Sequence, residues 1–337
     1  MTTVNMKAVV EPFFLNPSLC PNPPSSFTDF VSETSALGVV FESSISALPT
    51  FDKPTICLIA GRTSDNPKLF KDCVNNGASY IYLEKPGAPS VPELVEMKEL
   101  ADDKNVKVYI GYNKNVTPYV KKALALAETM DGSHVTFQHN NSYKESELQE
   151  CFSRNAEGML KNMAIHELAL LVTFFGVTVD TIQEFKVIKE DSDQLTVLDP
   201  KTESSSNPQY LTDFSKIAFQ VTTKSGTSAS VRADRCGGNV SFATVANSSG
   251  ELVQKFEFPD EEEQKKIDKL TKEDPVMMPY FFVQSDDYKE LKTRVVNACL
   301  SGNDAEGVAT IAIAIEALKL AEYGTAELSK VLPSTKN

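Results

Sequence analysis

Glycine is scarce in this sequence, and scarcest near the N-terminus. There are 15 glycines in 337 residues, and the first 50 residues hold one, Gly38. No Walker-type Gly-Lys-Ser/Thr loop and no Gly-x-Ser-x-Gly elbow occurs, so neither phosphate-loop nor serine-hydrolase chemistry is expected. Basic charge is also short. Lys+Arg 33 against Asp+Glu 46 gives a net charge of -13, with no compensating basic block, which argues against nucleic acid as a partner. No run of about 18 apolar residues occurs, so no membrane span is expected. The first residues lack the basic stretch and long apolar run of an export leader. The six cysteines (Cys20, Cys57, Cys73, Cys151, Cys236, Cys299) never form Cys-x-x-Cys. They read as reduced thiols of a cytoplasmic protein, not as a disulfide framework or a zinc site.

What is present is a sequence able to fold. Hydrophobic residues make up 41% and charged residues 23%, and the length fits two domains better than one or three. Residues 55–60 (Thr-Ile-Cys-Leu-Ile-Ala), 80–83 (Tyr-Ile-Tyr-Leu) and 107–112 (Lys-Val-Tyr-Ile-Gly-Tyr) read as buried strands. Helices are expected between them, over about 66–76 and 92–104, opened by Asn66-Pro67 and by Ser90 with Pro92. Strand, helix, strand, helix, strand at this pitch is βαβαβ in a parallel sheet, with both helices on one face. Upstream, Val9-Val10 ends a possible strand and residues 37–41 form a possible buried one. A helix is expected from Thr117-Pro118 to about 130, then a strand over 133–140.

Beyond residue 140 the pattern changes. Residues 158–175 read as one nearly all-apolar helix ended by Gly176. Segments 181–189, 214–223, 227–233, 240–247 and 252–258 alternate with period two and read as an antiparallel meander. Residues 191–208 are polar and read as a long loop, 260–275 as a solvated charged helix, and about 305–323 as a closing helix stopped at Gly324. The fold class expected is α/β: a Rossmann-like parallel sheet, divergent or incomplete in its N-terminal part, then an α+β domain with a large open antiparallel or mixed sheet. The boundary falls near residue 120, giving domains 1–120 and 121–337.

Two places stand out chemically. Glu84-Lys85-Pro86 follows a strand at the end where open α/β sheets hold ligands, and Pro86 keeps Lys85 out of the α region. On the apolar helix, Asn162, His166, Ala169 and Thr173 form a narrow polar or small stripe, with Asn162 one turn from His166 and able to partner its ring. A surface lysine at a turn and a satisfied core histidine are the plain alternatives. His166-Glu167 opens a His-Glu-x-x-His pattern that fails at Leu170, so no metal site is expected. His134 and His139, five apart on one strand, face opposite ways and make no joint site.

Glu84-Lys85-Pro86, Gly111-Tyr112-Asn113 and Asn162-x-x-x-His166, in this order and at these intervals, resemble the Gfo/Idh/MocA oxidoreductases, which include glucose–fructose oxidoreductase and inositol dehydrogenases. The resemblance runs from about Thr55 to the C-terminus. It implies a Rossmann domain for NAD or NADP, a second domain with a large open sheet, and a small-molecule substrate with a sugar-like or polyol hydroxyl. It also implies roles: Lys85 as active-site lysine, His166 as catalytic base, and Asn162 at the catalytic position where the family usually has aspartate. Asn113 would lie beside nicotinamide and substrate, and Gly61 and Arg62, with Glu84 and Lys85, beside the cofactor. Asn115 replaces a commonly basic residue. The family's Gly-x-Gly-x-x-Gly turn is missing, and no acidic residue is evident at the end of a second strand. Two functions stay open: an NAD(P)-dependent oxidoreductase, and a catalytically inactive ligand sensor or scaffold. An open sheet face also leads us to expect a homo-oligomer.

Overall fold

The computed structural model describes residues 4–205, 207–277, 279–333 and 335–336. Residues 1–3 and 337, at the outer ends of the two expected domains, and Ser206, in the expected polar loop, lie outside the described residues. The parallel part begins with β1 (Ala8–Val10), α1 (Ser25–Ser35) and β2 (Val40–Glu42), which form one small βαβ unit with β1 and β2 parallel. Then come β3 (Ile56–Ile59), α2 (Asn66–Asn75), β4 (Tyr80–Leu83), α3 (Val91–Asp103) and β5 (Lys107–Ile110). These strands pair in parallel in the order β3-β4-β5.

Alternation along β4 and β5 explains how the sheet is covered. Ile81, Leu83, Val108 and Ile110 point to one face, where they meet Phe70, Cys73 and Val74 of α2 and Leu94, Met97 and Ala101 of α3 in the main core. Both helices share that face, as right-handed crossovers require. Tyr82 and Tyr109 point the other way, into a separate core. Each fully buried leucine or isoleucine here contributes about 1.5–3 kcal/mol.

The chain continues through α4 (Pro118–Glu128), β6 (His134–Asn140), α5 (Leu148–Arg154), α6 (Met159–Asn162), α7 (Ile165–Phe175), β7 (Ile182–Val187), β8 (Asp193–Leu198), β9 (Tyr210–Thr223), β10 (Ser228–Asp234), β11 (Ser241–Ala246) and β12 (Leu252–Phe258). After β12 come α8 (Glu261–Glu273), α9 (Pro279–Ser301), α10 (Ile311–Val331) and β13 (Thr335–Lys336). The large sheet runs β12-β11-β6-β10-β9-β8-β13, with β7 also on β9. One face is buried against α7 and α10, through residues such as Phe137, Phe219, Val231 and Leu318. The fold is thus α/β with a parallel sheet followed by a large mixed sheet.

Several expectations need correction. The meander is interrupted: β6 inserts between β10 and β11 and runs parallel to β10, so the sheet is mixed. Residues 37–41 are not a buried strand; β2 starts at Val40, and Leu37 and Val40 are exposed. The polar stretch 191–208 contains β8, which pairs with β9 and packs Leu195 and Val197 into a small core with Leu148 and Phe152. The apolar helix 158–175 is broken at Met163-Ala164 into α6 and α7. The closing helix does not stop at Gly324. It runs to Val331, and a Cβ on Gly324 would lie 2.9 Å from Leu160, so this glycine serves close helix packing. Finally, α9 was not expected from the sequence. Its Leu291, Val295 and Ala298 cover Tyr82 and Tyr109, the second face of the parallel sheet.

Candidate active site

The carboxyl ends of β4 and β5 supply the first part of the site. Glu84 and Lys85 leave β4, and the short helical turn Asn113–Val116 follows β5 with Asn113, Lys114 and Asn115 all buried. Gly111 is required by close approach: a Cβ there would sit 2.8 Å from the Tyr82 hydroxyl and 2.9 Å from Glu84 Oε2. The second part comes from α6 and α7. The break between them leaves the Asn162 carbonyl free, and Lys85 Nζ donates to it at 2.9 Å. His166 lies in the first turn of α7, buried, with the Tyr112 ring edge-on at 5.9 Å between centroids.

A buried charge cluster, unforeseen in the sequence, backs these residues. Lys114 Nζ donates to Glu167 Oε1 and, at 3.2 Å, to Ser241 Oγ. Glu167 Oε2 faces His139 Nδ1 at 3.6 Å. Burial alone would raise the Glu167 carboxyl, but Lys114 first and then His139 hold it well below the usual carboxylate range, so it is ionised. Burial lowers Lys85, against the opposing pull of Glu84, Glu157 and Glu167. Burial also pushes His166 well below its ordinary value, and Lys85 and Lys114 push it the same way, so its ring is neutral at pH 7. Removing one partner of the Lys114–Glu167 pair would strand the other, a loss of about 3–5 kcal/mol.

Of the residues singled out in the sequence, Lys85, Asn162, His166, Asn113 and Glu84 come together at this edge. The Asn162 backbone carbonyl accepts from Lys85, and His166 Nδ1, like His139 Nδ1 and Glu167 Oε2, has no hydrogen-bond partner among the described residues. Gly61 and Arg62 sit after β3. A Cβ on Gly61 would lie 2.7 Å from Leu69, so Gly61 packs on α2, and Arg62 is exposed while its carbonyl starts the turn into α2. Glu167 did carry a signal, a charge within an apolar helix, whereas Lys114 lies between Asn113 and Asn115 and carried none. His139 does lie opposite His134, which bonds Ser230 at 2.8 Å on the outer face, and so it faces inward to the site. From α9, Asp287 meets the Asn113 side chain, which donates to its carboxyl. Among the described residues no group of three or more His, Cys, Asp or Glu could hold a metal ion, and no helix is long and apolar enough to cross a membrane.

The chain's own atoms test whether a dinucleotide fits. β2 ends on Glu42, so an acidic residue does stand at the end of the second strand, a position suited to a ribose diol. α1 begins after Pro24 with no side-chain cap and no acidic residue in its first turn, so its first N–H groups remain available to an anion. One element runs against this: Glu11 Oε1 accepts from Phe13 N at 2.9 Å and Phe14 N at 3.3 Å, satisfying donors just beyond β1 with the chain's own carboxylate. The residues fit the ribose and nicotinamide ends, with an open helix terminus where a glycine turn would be.

Residues 24–112 match the family model GFO_IDH_MocA, described as an oxidoreductase family with an NAD-binding Rossmann fold. No curated protein matches the chain in sequence. Among solved structures, the chain is similar to a putative myo-inositol dehydrogenase from Sinorhizobium meliloti at 16% identity and a TM-score of 0.65, covering 96% of this chain and 90% of that one. A probable dehydrogenase from Thermotoga maritima aligns at 15% identity and a TM-score of 0.68, covering 98% and 94%. A scyllo-inositol dehydrogenase from Lactobacillus casei, solved with NAD(H) and scyllo-inositol, aligns at 13% identity and a TM-score of 0.63, covering 96% and 89%. At such identities the structural likeness establishes the fold. Residues 24–112 thus resemble the Gfo/Idh/MocA oxidoreductases in sequence, and nearly the whole chain shares the fold of these dehydrogenase structures.

Proposed function

We propose that the chain oxidises a hydroxyl of a sugar-like or polyol substrate with a nicotinamide dinucleotide. The observation that carries this reading is the meeting of Lys85, from the end of β4, with the α6–α7 break beside His166. When bound, the nicotinamide would supply hydride acceptance. The rest falls to the protein. Lys85, already fixed by the Asn162 carbonyl, donates to the substrate oxygen and steadies negative charge growing there. His166, neutral because burial disfavours its charged form, takes the hydroxyl proton. Asn113 lies where nicotinamide and substrate meet, and Glu42 holds the ribose diol. A carboxylate there repels a 2′-phosphate, so NAD is favoured over NADP. The test is turnover of a panel of polyols and sugars with both cofactors. Lys85→Met should lower kcat/KM about 10²-fold or more, in the range of a lost charge-stabilising donor. Turnover unchanged in Lys85→Met refutes the assignment.

A second reading, a non-catalytic ligand-binding member of the family, is favoured by Glu11 alone, whose carboxylate occupies the donors beyond β1. It predicts ligand binding without dinucleotide binding, and measurable turnover sensitive to Lys85 would eliminate it.

A further inference from the structure

We propose that Asp213, on β9 and outside the site, is a positioning residue for the reaction: held by Arg235, it fixes α6 and, through α6, Lys85. The inference rests on the oxidoreductase reading above, which assigns Lys85 to the substrate oxygen. α6 is a single turn of four residues, too short to be stable by its own hydrogen bonds. Inside it, Asn162 N donates to the Gly158 carbonyl at 3.0 Å and Met163 N to the Met159 carbonyl at 2.9 Å. Its two ends are tied to different parts of the molecule. At the start, Met159 N donates to Asp213 Oδ1 at 3.0 Å; at the end, the Asn162 carbonyl accepts from Lys85 Nζ at 2.9 Å. The chain enters the turn through Gly158 at φ +88°, a conformation that suits glycine and that aims Met159 N at the carboxylate. One turn, about 5 Å along the axis, separates the two ties, so movement at Asp213 is movement at Lys85.

The carboxylate is itself immobilised. Arg235 Nη2 donates to Asp213 Oδ2 at 2.7 Å, Nε to the Phe214 carbonyl at 3.1 Å and Nη1 to Cys151 Sγ at 3.0 Å. The guanidinium also lies over the Phe152 ring, 5.4 Å from its centroid. With both oxygens engaged, Asp213 has one orientation to offer α6. The other side-chain tie on this turn, Lys161 to Glu322 at 2.8 Å, joins partly exposed groups and is of the kind that contributes little. Asp213 touches no reacting atom. It acts by holding the amine that steadies charge on the substrate oxygen, and a misplacement of about 1 Å there is enough to cost about 10²-fold in rate.

A double-mutant cycle with Lys85 separates this role from a purely structural one. Asp213→Ala should lower kcat/KM about 10- to 10²-fold, chiefly in kcat, and have little further effect in Lys85→Met, where the amine is already gone. Asp213→Asn keeps the volume and one accepting oxygen; it should fold where Asp213→Ala does not, and show the same coupling at smaller amplitude. Met97→Ala, a core change on α3, should cost stability and leave kcat unchanged. Equal losses from Asp213 substitution with and without Lys85, or an unchanged kcat in both folded Asp213 variants, would overturn the proposal. A second readout needs no turnover: NMR of the Lys85 ammonium in lysine-labelled protein, assigned with Lys85→Met. Its signal should move in Asp213→Asn and stay in place in Met97→Ala, and a Lys85 signal unmoved in Asp213→Asn overturns the proposal. Wild-type protein without turnover defeats the oxidoreductase reading instead, and the Lys85 signal then still decides whether Asp213 sets this lysine.

Discussion

Asp287 holds a pH signature that can be measured without knowing any ligand. Burial first, then Glu263 and Asp286, push its carboxyl up to about 7, opposed by Lys121 and by the Asn113 amide. Its unfolded value is about 3.8, so the folded state binds the proton more tightly and pays for it as pH rises. The penalty grows from about pH 4 to about pH 7 and is constant above that. Asp287→Asn, which keeps the polar contact to Asn113, should therefore raise stability at pH 8 by roughly 2–4 kcal/mol and by less at pH 5. Denaturant melts at the two pH values measure this, and an equal shift at both would contradict the assigned titration. At this scale the sequence was partly legible. Lys85 was readable because a strand and a proline aim it locally, and His166 because it interrupts an apolar helix. The Lys114–Glu167 and His139–Glu167 contacts were not, since they join residues distant in the chain and only the packing of β6 and α7 on the turn after β5 brings them together.

The element that places Lys85 is α6, and it is held from the far side. Asp213 on β9 accepts from Met159 N, the start of α6, at 3.0 Å, and its other oxygen accepts from Arg235 at 2.7 Å. Arg235 is fully buried and also donates to the Phe214 carbonyl at 3.1 Å. Asp213→Ala leaves a buried guanidinium without its carboxylate and α6 without its anchor. We expect a loss of about 3–5 kcal/mol in a thermal or denaturant melt. A loss below about 1 kcal/mol would show that Arg235 finds another partner. The break after α6 could not be read in the sequence, because Met163 and Ala164 are good helix formers and tertiary packing overrides them. Gly324 misled for the opposite reason. A glycine near a helix end resembles a stop, whereas here it lets α10 approach Leu160 and Phe185. The three parallel strands β3 to β5, by contrast, were legible nearly to the residue, since continuous apolar runs bounded by turn residues admit few other structures.

At the scale of the whole molecule, shape and charge set two expectations. The outer face of the mixed sheet carries His134, Gln220 and Arg232, all half-buried. We propose that a second copy packs there, and light scattering at micromolar concentration should give at least a dimer; a monomer would contradict this. The chain's net charge of -13 opposes an anionic dinucleotide, and Glu11 adds to that beside the expected pyrophosphate position. Glu11→Gln should accordingly tighten dinucleotide binding several-fold, read by titration calorimetry. The N-terminal βαβ unit was the least legible part of the fold, because three-residue strands carry too little pattern to separate from loop. The most direct test of the account is calorimetry of the intact chain with NAD(H) and NADP(H). The account predicts saturable binding of both redox forms of NAD, weaker binding of NADP, and loss of that preference in Glu42→Ala. A folded protein that binds neither dinucleotide would contradict it and leave the ligand-binding reading in its place.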